Sequence, residues 1–294
     1  MPRCAEPSCR RWRPGLGTRV AGGVRLNDQW FCSVRCLEPA VAQGLQTIDM
    51  PRESAGARPS LRLGAVLRSL GAITGPQLLV ALQAQRRSGR RLGAELQAMG
   101  LATADVVVRA LAAQADMSYL TSIDFALVRR APGGLPGHTV RALGLVPFEV
   151  DPSSRRLRVL CTAPPPKAAF RALSALAGWE AEPYLVDDDL WERAMAAYPA
   201  TGAAAGAMHD LRAAAAHVAR TAGERGALTM RRAACPGGLW VRLEDAARVE
   251  DLVIAPSLLA GTPAGVQAVA GAPSFARPRA TEREGPWLVA STPR

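Results

Sequence analysis

The chain has 294 residues, 49% of them hydrophobic but only 5% aromatic, with a formal net charge of +11. That length allows two modest domains or several small ones, with cores of Leu, Val and Ala rather than rings. The charge invites a nucleic-acid reading, but the only lysine is Lys167 and the arginines are spread along the whole chain, so no concentrated basic stripe supports it.

No uninterrupted apolar run of about 18 residues occurs, so no transmembrane helix is expected. The start, Met1-Pro2-Arg3-Cys4, lacks the apolar stretch of a secretory signal. A cytoplasmic location is therefore expected, where thiols stay reduced.

The first element is a cysteine knuckle expected over residues 1–45. Cys4 and Cys9, then Cys32 and Cys36, form two close pairs separated by 22 residues. Two such pairs in a reducing compartment point to a structural tetrahedral Zn²⁺, with unligated thiols or disulfides as the alternatives. So small a unit, with few large apolar residues, would hardly fold without a metal. The run Trp30-Phe31-Cys32-Ser33-Val34-Arg35-Cys36-Leu37 resembles the end of treble-clef-like fingers of the FCS/TRASH kind, in which the last cysteines sit at the start of a short helix. Arg10, Arg11 and Arg13 after Cys9 read as a solvated basic loop. Residues 46–60 read as a linker.

An internal repeat follows. Residues 62–85 and 91–114 align without gaps at an offset of 29, and 11 of the 24 positions are identical. In each copy a short helix is expected to begin near Gly64 or Gly93, with Leu63 and Leu67, or Leu92 and Leu96, on its apolar face. Gly71 and Gly100 fall where a left-handed residue would end it. Thr74 is placed to cap a second helix with Pro76 in its first turn. Leu78, Leu82 and Gln85 then share one face. Two such hairpins would pack as a pseudo-symmetric four-helix unit over 61–118. Each copy sets one arginine, Arg62 or Arg91, at a helix start, where arginine and exposed amides make an anion site. A ligand with internal two-fold symmetry and two phosphates would suit two such half-sites.

Beyond the repeat the period changes. Residues 143–150 and 157–161 read as a β-hairpin around a turn at 151–156. Residues 167–177 read as a helix, 181–186 as a strand and 187–198 as a helix whose acidic first turn suits the helix dipole. After a small-residue linker, 209–223 reads as a helix and 228–234, 239–243 and 249–254 as strands, giving a second small α/β unit over 207–255 of unassigned role. Residues 256–294 read as a disordered tail. The expected fold class is α+β.

The doubled pattern R-L-G-x-x-L-x-x-x-G, then Thr, then L-x-x-A-L-x-x-Q resembles the MshEN domain, the N-terminal domain of type II secretion and type IV pilus assembly ATPases. Gln114-Ala-Asp-Met-Ser-Tyr119, residues 143–150, 156–163 and 179–185 continue the likeness, which spans about 61–199. The resemblance implies a cyclic di-GMP site. Arg62 and Arg91 would anchor the ligand, Gly64 and Gly93 would let the backbone approach, and Leu63, Leu67, Leu92 and Leu96 would cover the purines. Gln85 and Gln114 would hydrogen-bond across each half-site, with Gly71 and Gly100 completing the motif. The chain departs from the pattern at Arg68, Gln97 and Ala102, where the family is aliphatic, and at Glu95.

The ATPase half of those proteins is not recognisable. Lys167 follows Pro164-Pro165-Pro166 rather than a glycine-rich phosphate loop. His138, His209 and His217 are scattered, Asp187-Asp188-Asp189 reads as a helix start, and Cys161 and Cys235 as small core or turn residues. The expectation is therefore a non-enzymatic cyclic di-GMP sensor or adaptor acting through a protein partner in a secretion, pilus or signalling system. The alternatives are a zinc-finger nucleic-acid accessory protein and a scaffold with a degenerate ligand site.

Overall fold

The computed structural model describes residues 3–11, 23–47, 62–131, 134–199, 207–208 and 210–255. The tail expected from 256, most of the 46–60 linker, Arg13 and His209 lie outside them. The fold is α+β, with ten helices and ten short strands among the described residues. No described helix is long and apolar enough to cross a membrane.

A tight hairpin opens the chain: β1 (Val24–Leu26) and β2 (Gln29–Phe31) pair antiparallel. Its turn residues Asn27 and Asp28 hold φ of 48° and 64°, a conformation these short polar side chains tolerate. Helix α1 (Val34–Gln46) follows at once and buries Leu37, Val41 and Leu45.

The repeat forms four helices: α2 (Leu63–Ser69), α3 (Gly75–Ser88), α4 (Leu92–Ala98) and α5 (Ala104–Ala115). The first and third end in matching Schellman turns. Gly71 and Gly100 take φ of 68° and 66°. Ala72 N–H reaches Leu67 C=O at 2.9 Å, and Leu101 N–H reaches Leu96 C=O at 2.9 Å. Thr74 and Thr103 cap α3 and α5 through their side chains, and Gln77 completes a capping box with Thr74. The two copies interlock: α2 packs on α5, and α4 packs on α3. Leu67, Leu96, Ala81 and Ala110, four positions related by the repeat, fill the small core between them.

A four-stranded sheet comes next, in the order β3 (Ser118–Tyr119), β6 (Glu180–Leu185), β5 (Arg156–Cys161), β4 (Val146–Asp151). Helices α6 (Phe125–Arg130), α7 (Gly137–Leu143), α8 (Lys167–Ala177) and α9 (Asp188–Ala197) pack around it. The strand expected from 143 starts later, because Leu143 still belongs to α7 and Gly144 ends that helix with φ of 69°. The rest of the chain supplies β7 (Ala207–Met208), α10 (Leu211–Arg225), β8 (Ala227–Cys235), β9 (Gly238–Glu244) and β10 (Val249–Ile254).

The knuckle expected at 1–45 and the unit expected at 207–255 share one sheet. Its order is β2-β1-β8-β9-β10-β7, with β1 parallel to β8 through Arg25↔Ala227 and Leu26↔Leu228. The Asn27 side chain extends that ladder, donating to Met230 C=O at 3.2 Å and accepting from Met230 N–H at 2.7 Å. Helices α1 and α10 pack on each other and on this sheet, and a single core joins Leu37, Val41, Val218, Leu239, Val241 and Leu252. The opposite face of the sheet belongs to the α/β subdomain, residues 119–199 with the four-stranded sheet: α8 packs on both β6 and β8, and α7 on both β4 and β10. Strand β9 shows both environments in alternation. Leu239, Val241 and Leu243 point into one core and Trp240 into the other, as the two-residue period of a strand requires.

Candidate ligand and metal sites

Each first helix of the repeat starts at an arginine. Arg62 and Arg91 are the N-cap residues of α2 and α4, both in extended conformation and both exposed. Arginine has no acceptor and cannot cap a helix start, and neither helix has a side-chain cap bond. The contrast with Thr74 and Thr103 is built into the motif: each second helix has one first-turn amide met by its threonine, and each first helix starts at an exposed arginine with no side-chain cap.

The remaining candidate residues divide into three groups by burial. Leu63, Leu92, Gln85 and Gln114 are half-buried, and together with the arginines they form the part of the set that a ligand can reach. Leu67 and Leu96 are fully enclosed, at 0% exposure, and serve the helical core. Gly64 and Gly93 are also buried. A Cβ on Gly64 would lie 2.7 Å from Leu78 Cδ1, and one on Gly93 would lie 2.7 Å from Val107 Cγ1. These glycines therefore seat each short helix against its own hairpin partner. Gly71 and Gly100 are exposed and shape the turns.

The two half-sites differ at one carboxylate. Glu95 lies in the first turn of α4, where copy one has Val66, and its side chain is 3% exposed. The Ser88 hydroxyl donates to it, and Arg90 Nε donates at 2.8 Å. The Ser88 hydrogen bond, then Arg90, holds its carboxyl below the usual carboxylate range. Sequence reasoning marked Glu95 as a departure but could not show that Ser88 and Arg90 converge on it. The second copy thus carries a Glu95–Arg90 ion pair where the first has the apolar Val66.

The four knuckle cysteines come together, as their paired spacing predicts. Their sulfurs all lie within 4.8 Å of one another. Cys9 Sγ to Cys32 Sγ is 3.6 Å, and Cys32 Sγ to Cys36 Sγ is 3.5 Å. Disulfide sulfurs would be about 2.05 Å apart, whereas sulfurs at the corners of a tetrahedron around Zn²⁺, each about 2.3 Å from it, are separated by about 3.8 Å. The spacing fits a metal and not a disulfide. Cys36 lies in the first turn of α1, and the Cys32 N–H points at Cys4 Sγ at 3.4 Å. Burial, followed by the neighbouring thiols, pushes Cys32 up to about 12, and burial also raises Cys36. The hydrogen bond with the Arg11 backbone lowers Cys9. Cys32 and Cys36 therefore do not lose their protons readily unless a cation shares the site.

Other residues singled out in the sequence have structural roles. Cys161 and Cys235 are buried in the main core. Asp187 caps α9, accepting from Leu190 N–H at 2.6 Å. His138 Nε2 meets Asp251 C=O at 2.9 Å, and His217 Nε2 meets Glu250 Oε1 at 2.6 Å.

No family profile matches the chain, and no curated protein matches it. Solved structures do. MshE with cdg is similar over 47% of this chain and 99% of that chain, at 24% identity and a TM-score of 0.37. The N-terminal domain of XpsE is similar over 47% of this chain and 93% of that chain, at 16% identity and a TM-score of 0.34.

Proposed function

We propose that this chain is a non-catalytic receptor for cyclic di-GMP, with one half-site in each copy of the helical repeat. The carrying observation is the doubled motif itself: two interlocked hairpins, each opening on an exposed arginine at an uncapped helix start. A ligand with two equivalent phosphate and purine halves matches two equivalent arginine and leucine halves. Each guanidinium would reach a phosphate or lie against a guanine face, a role that calls for a planar cation. Leu63 and Leu92 would flank the purines, with Gln85 and Gln114 as hydrogen-bonding partners. Leu67, Leu96, Gly64 and Gly93 would act from beneath, by fixing where the arginines start. The response would pass to a protein partner in a cytoplasmic secretion, pilus or signalling system.

We also assign a structural zinc ion to Cys4, Cys9, Cys32 and Cys36. Four cysteines without histidine or carboxylate make a closed set that suits structural zinc rather than catalysis. Elemental analysis of protein purified without chelator should find one zinc per chain, and its absence would remove the assignment.

Calorimetry with cyclic di-GMP, cyclic di-AMP and GTP in parallel tests the receptor reading. Saturable binding of cyclic di-GMP in preference to the other two is expected. Equal affinity for all three would reduce the site to a general anion patch.

A further inference from the structure

Helix α3 carries an exposed stripe that the ligand site does not use. Pro76, Leu79, Val80, Gln83, Arg86 and Arg87 are all exposed, and helical spacing places them on one face. Leu79 is 63% exposed and Val80 50%. The apolar side chains occupy the N-terminal half of the stripe and the arginines the C-terminal half. From Pro76 to Arg87 it runs about 16 Å, at about 1.5 Å per residue. The opposite face of α3, through Leu78 and Ala81, packs into the repeat core.

The repeat supplies an internal control. In α5 the positions equivalent to Leu79 and Gln83 are Val108 and Ala112, and both are sealed in the core of the α/β subdomain. Arg86 and Arg87 correspond to Ala115 and Asp116. The Leu79 and Gln83 positions are therefore covered within the chain in copy two, while Asp105, Arg109 and Asp116, equivalent to Pro76, Val80 and Arg87, are exposed there. In copy one all six positions are exposed, and the C-terminal pair is cationic. Residues 62–94 hold six arginines and no acidic residue, and among the described residues neither Arg86 nor Arg87 forms an ion pair.

We propose that this stripe of α3 is a docking surface for an acidic protein segment that also presents apolar side chains. Leu79 and Val80 would receive the apolar groups, and Arg86 and Arg87 the carboxylates. A second copy of the same stripe fits poorly. Parallel pairing would face arginine with arginine, and antiparallel pairing would set them against the positive end of a helix dipole. A membrane-surface helix carries its cations along its length beside the apolar face, whereas here the two are segregated end to end. Residues 62–94 also contain no aromatic residue on which a base could stack.

The test uses the full chain and a fluorescent synthetic helical peptide with leucines on one face flanked by glutamates. Phosphatidylglycerol vesicles, duplex DNA and a lysine-for-glutamate peptide serve as the other arms. The acidic peptide should bind, and affinity should fall about tenfold or more in Leu79→Ser/Val80→Ser and in Arg86→Glu/Arg87→Glu. The charge-reversed variant should gain binding to the lysine peptide. The Leu79→Ser/Val80→Ser variant should melt close to the parent, because the side chains are exposed, and the charge-reversed variant should melt somewhat lower, because two glutamates in the last turn of α3 oppose the helix dipole. The proposal is overturned if the acidic peptide fails to bind or if the variants bind it equally. It is also overturned if vesicles or DNA bind through these residues instead, if the chain dimerises through them, or if the Leu79→Ser/Val80→Ser protein loses several degrees of melting temperature.

Discussion

At Gly93 an added methyl group has almost no room. Its Cβ would lie 2.7 Å from Val107 Cγ1, a methyl on a β-branched side chain whose rotamer is nearly fixed inside a helix. At Gly64 the corresponding neighbour is the end of the Leu78 side chain, with Cδ1 at 2.7 Å, Cδ2 at 3.0 Å and Cγ at 3.4 Å, and a leucine without β-branching can turn away as a whole. Each alanine also gains some helix propensity over glycine, at most about 1 kcal/mol and less in the first turn of a short helix. Gly64→Ala should therefore be close to neutral, while Gly93→Ala should be net destabilising by about 1–2 kcal/mol, within the usual range for an overpacked core. Thermal or urea denaturation of the two variants checks this, and equal stabilities would contradict the packing read from the structure. The same positions show what a motif conceals. From sequence, R-L-G looks like three ligand contacts, because nothing in the string distinguishes a glycine that admits a ligand from one that admits a neighbouring helix.

Elements with a local signal were legible. Helix α8 was expected at 167–177 and strand β10 at 249–254, and both have those bounds. Thr74, Pro76 and Gly71 mark starts and stops by their own chemistry. Helices α6 and α7, of six and seven residues, are not legible, because so short a segment shows less than two full periods and, unlike α2 and α4, they have no repeated motif to mark them. The contacts that join elements were not legible either. Arg242 Nε and Nη2 each donate to Asp251 at 2.8 Å across the β9–β10 register, and Nη1 donates to Leu176 C=O at 3.0 Å on α8. Trp240 Nε1 donates to the same carboxylate at 2.7 Å. Asp251 is 1% exposed at its side chain, so removing Arg242 strands a buried charge. Arg242→Ala should cost about 3–5 kcal/mol, the usual penalty for breaking a buried pair from one side. Replacing Arg242 and Asp251 together by apolar residues should cost less. Denaturation of the single and double variants decides it, and a single-variant loss no larger than the double would show that the pair does not hold the elements together.

Across the whole molecule the main departure from the sequence reading is the shared sheet. A strand at 24–26 and one at 227–235 are about two hundred residues apart, and no local pattern announces that they are neighbours. The consequence is mechanical. Cysteines that looked like a detachable finger hold a hairpin and helix that complete the core of the C-terminal sheet. Cys32→Ser, or prolonged chelation, should therefore release the proposed zinc ion and also raise hydrogen exchange in β8 and α10. Exchange confined to residues 3–47 would contradict the shared core.

The central claim concerns the doubled helical motif, and one titration reaches it most directly. Cyclic di-GMP is added to the full chain and to Arg62→Ala, Arg91→Ala and the double variant in a calorimeter. Losing one charge-assisted contact typically costs about 1.5–3 kcal/mol, roughly ten- to more than a hundredfold in affinity. The account predicts saturable binding by the parent chain and a larger loss for Arg62→Ala than for Arg91→Ala, because the first copy keeps aliphatic Val66 and Ile73 where the second has Glu95 and Ala102. It predicts no measurable binding by the double variant. No heat of binding from the parent chain at about 100 µM ligand, an affinity limit near −5.5 kcal/mol, or a double variant that binds as the parent does, would contradict it.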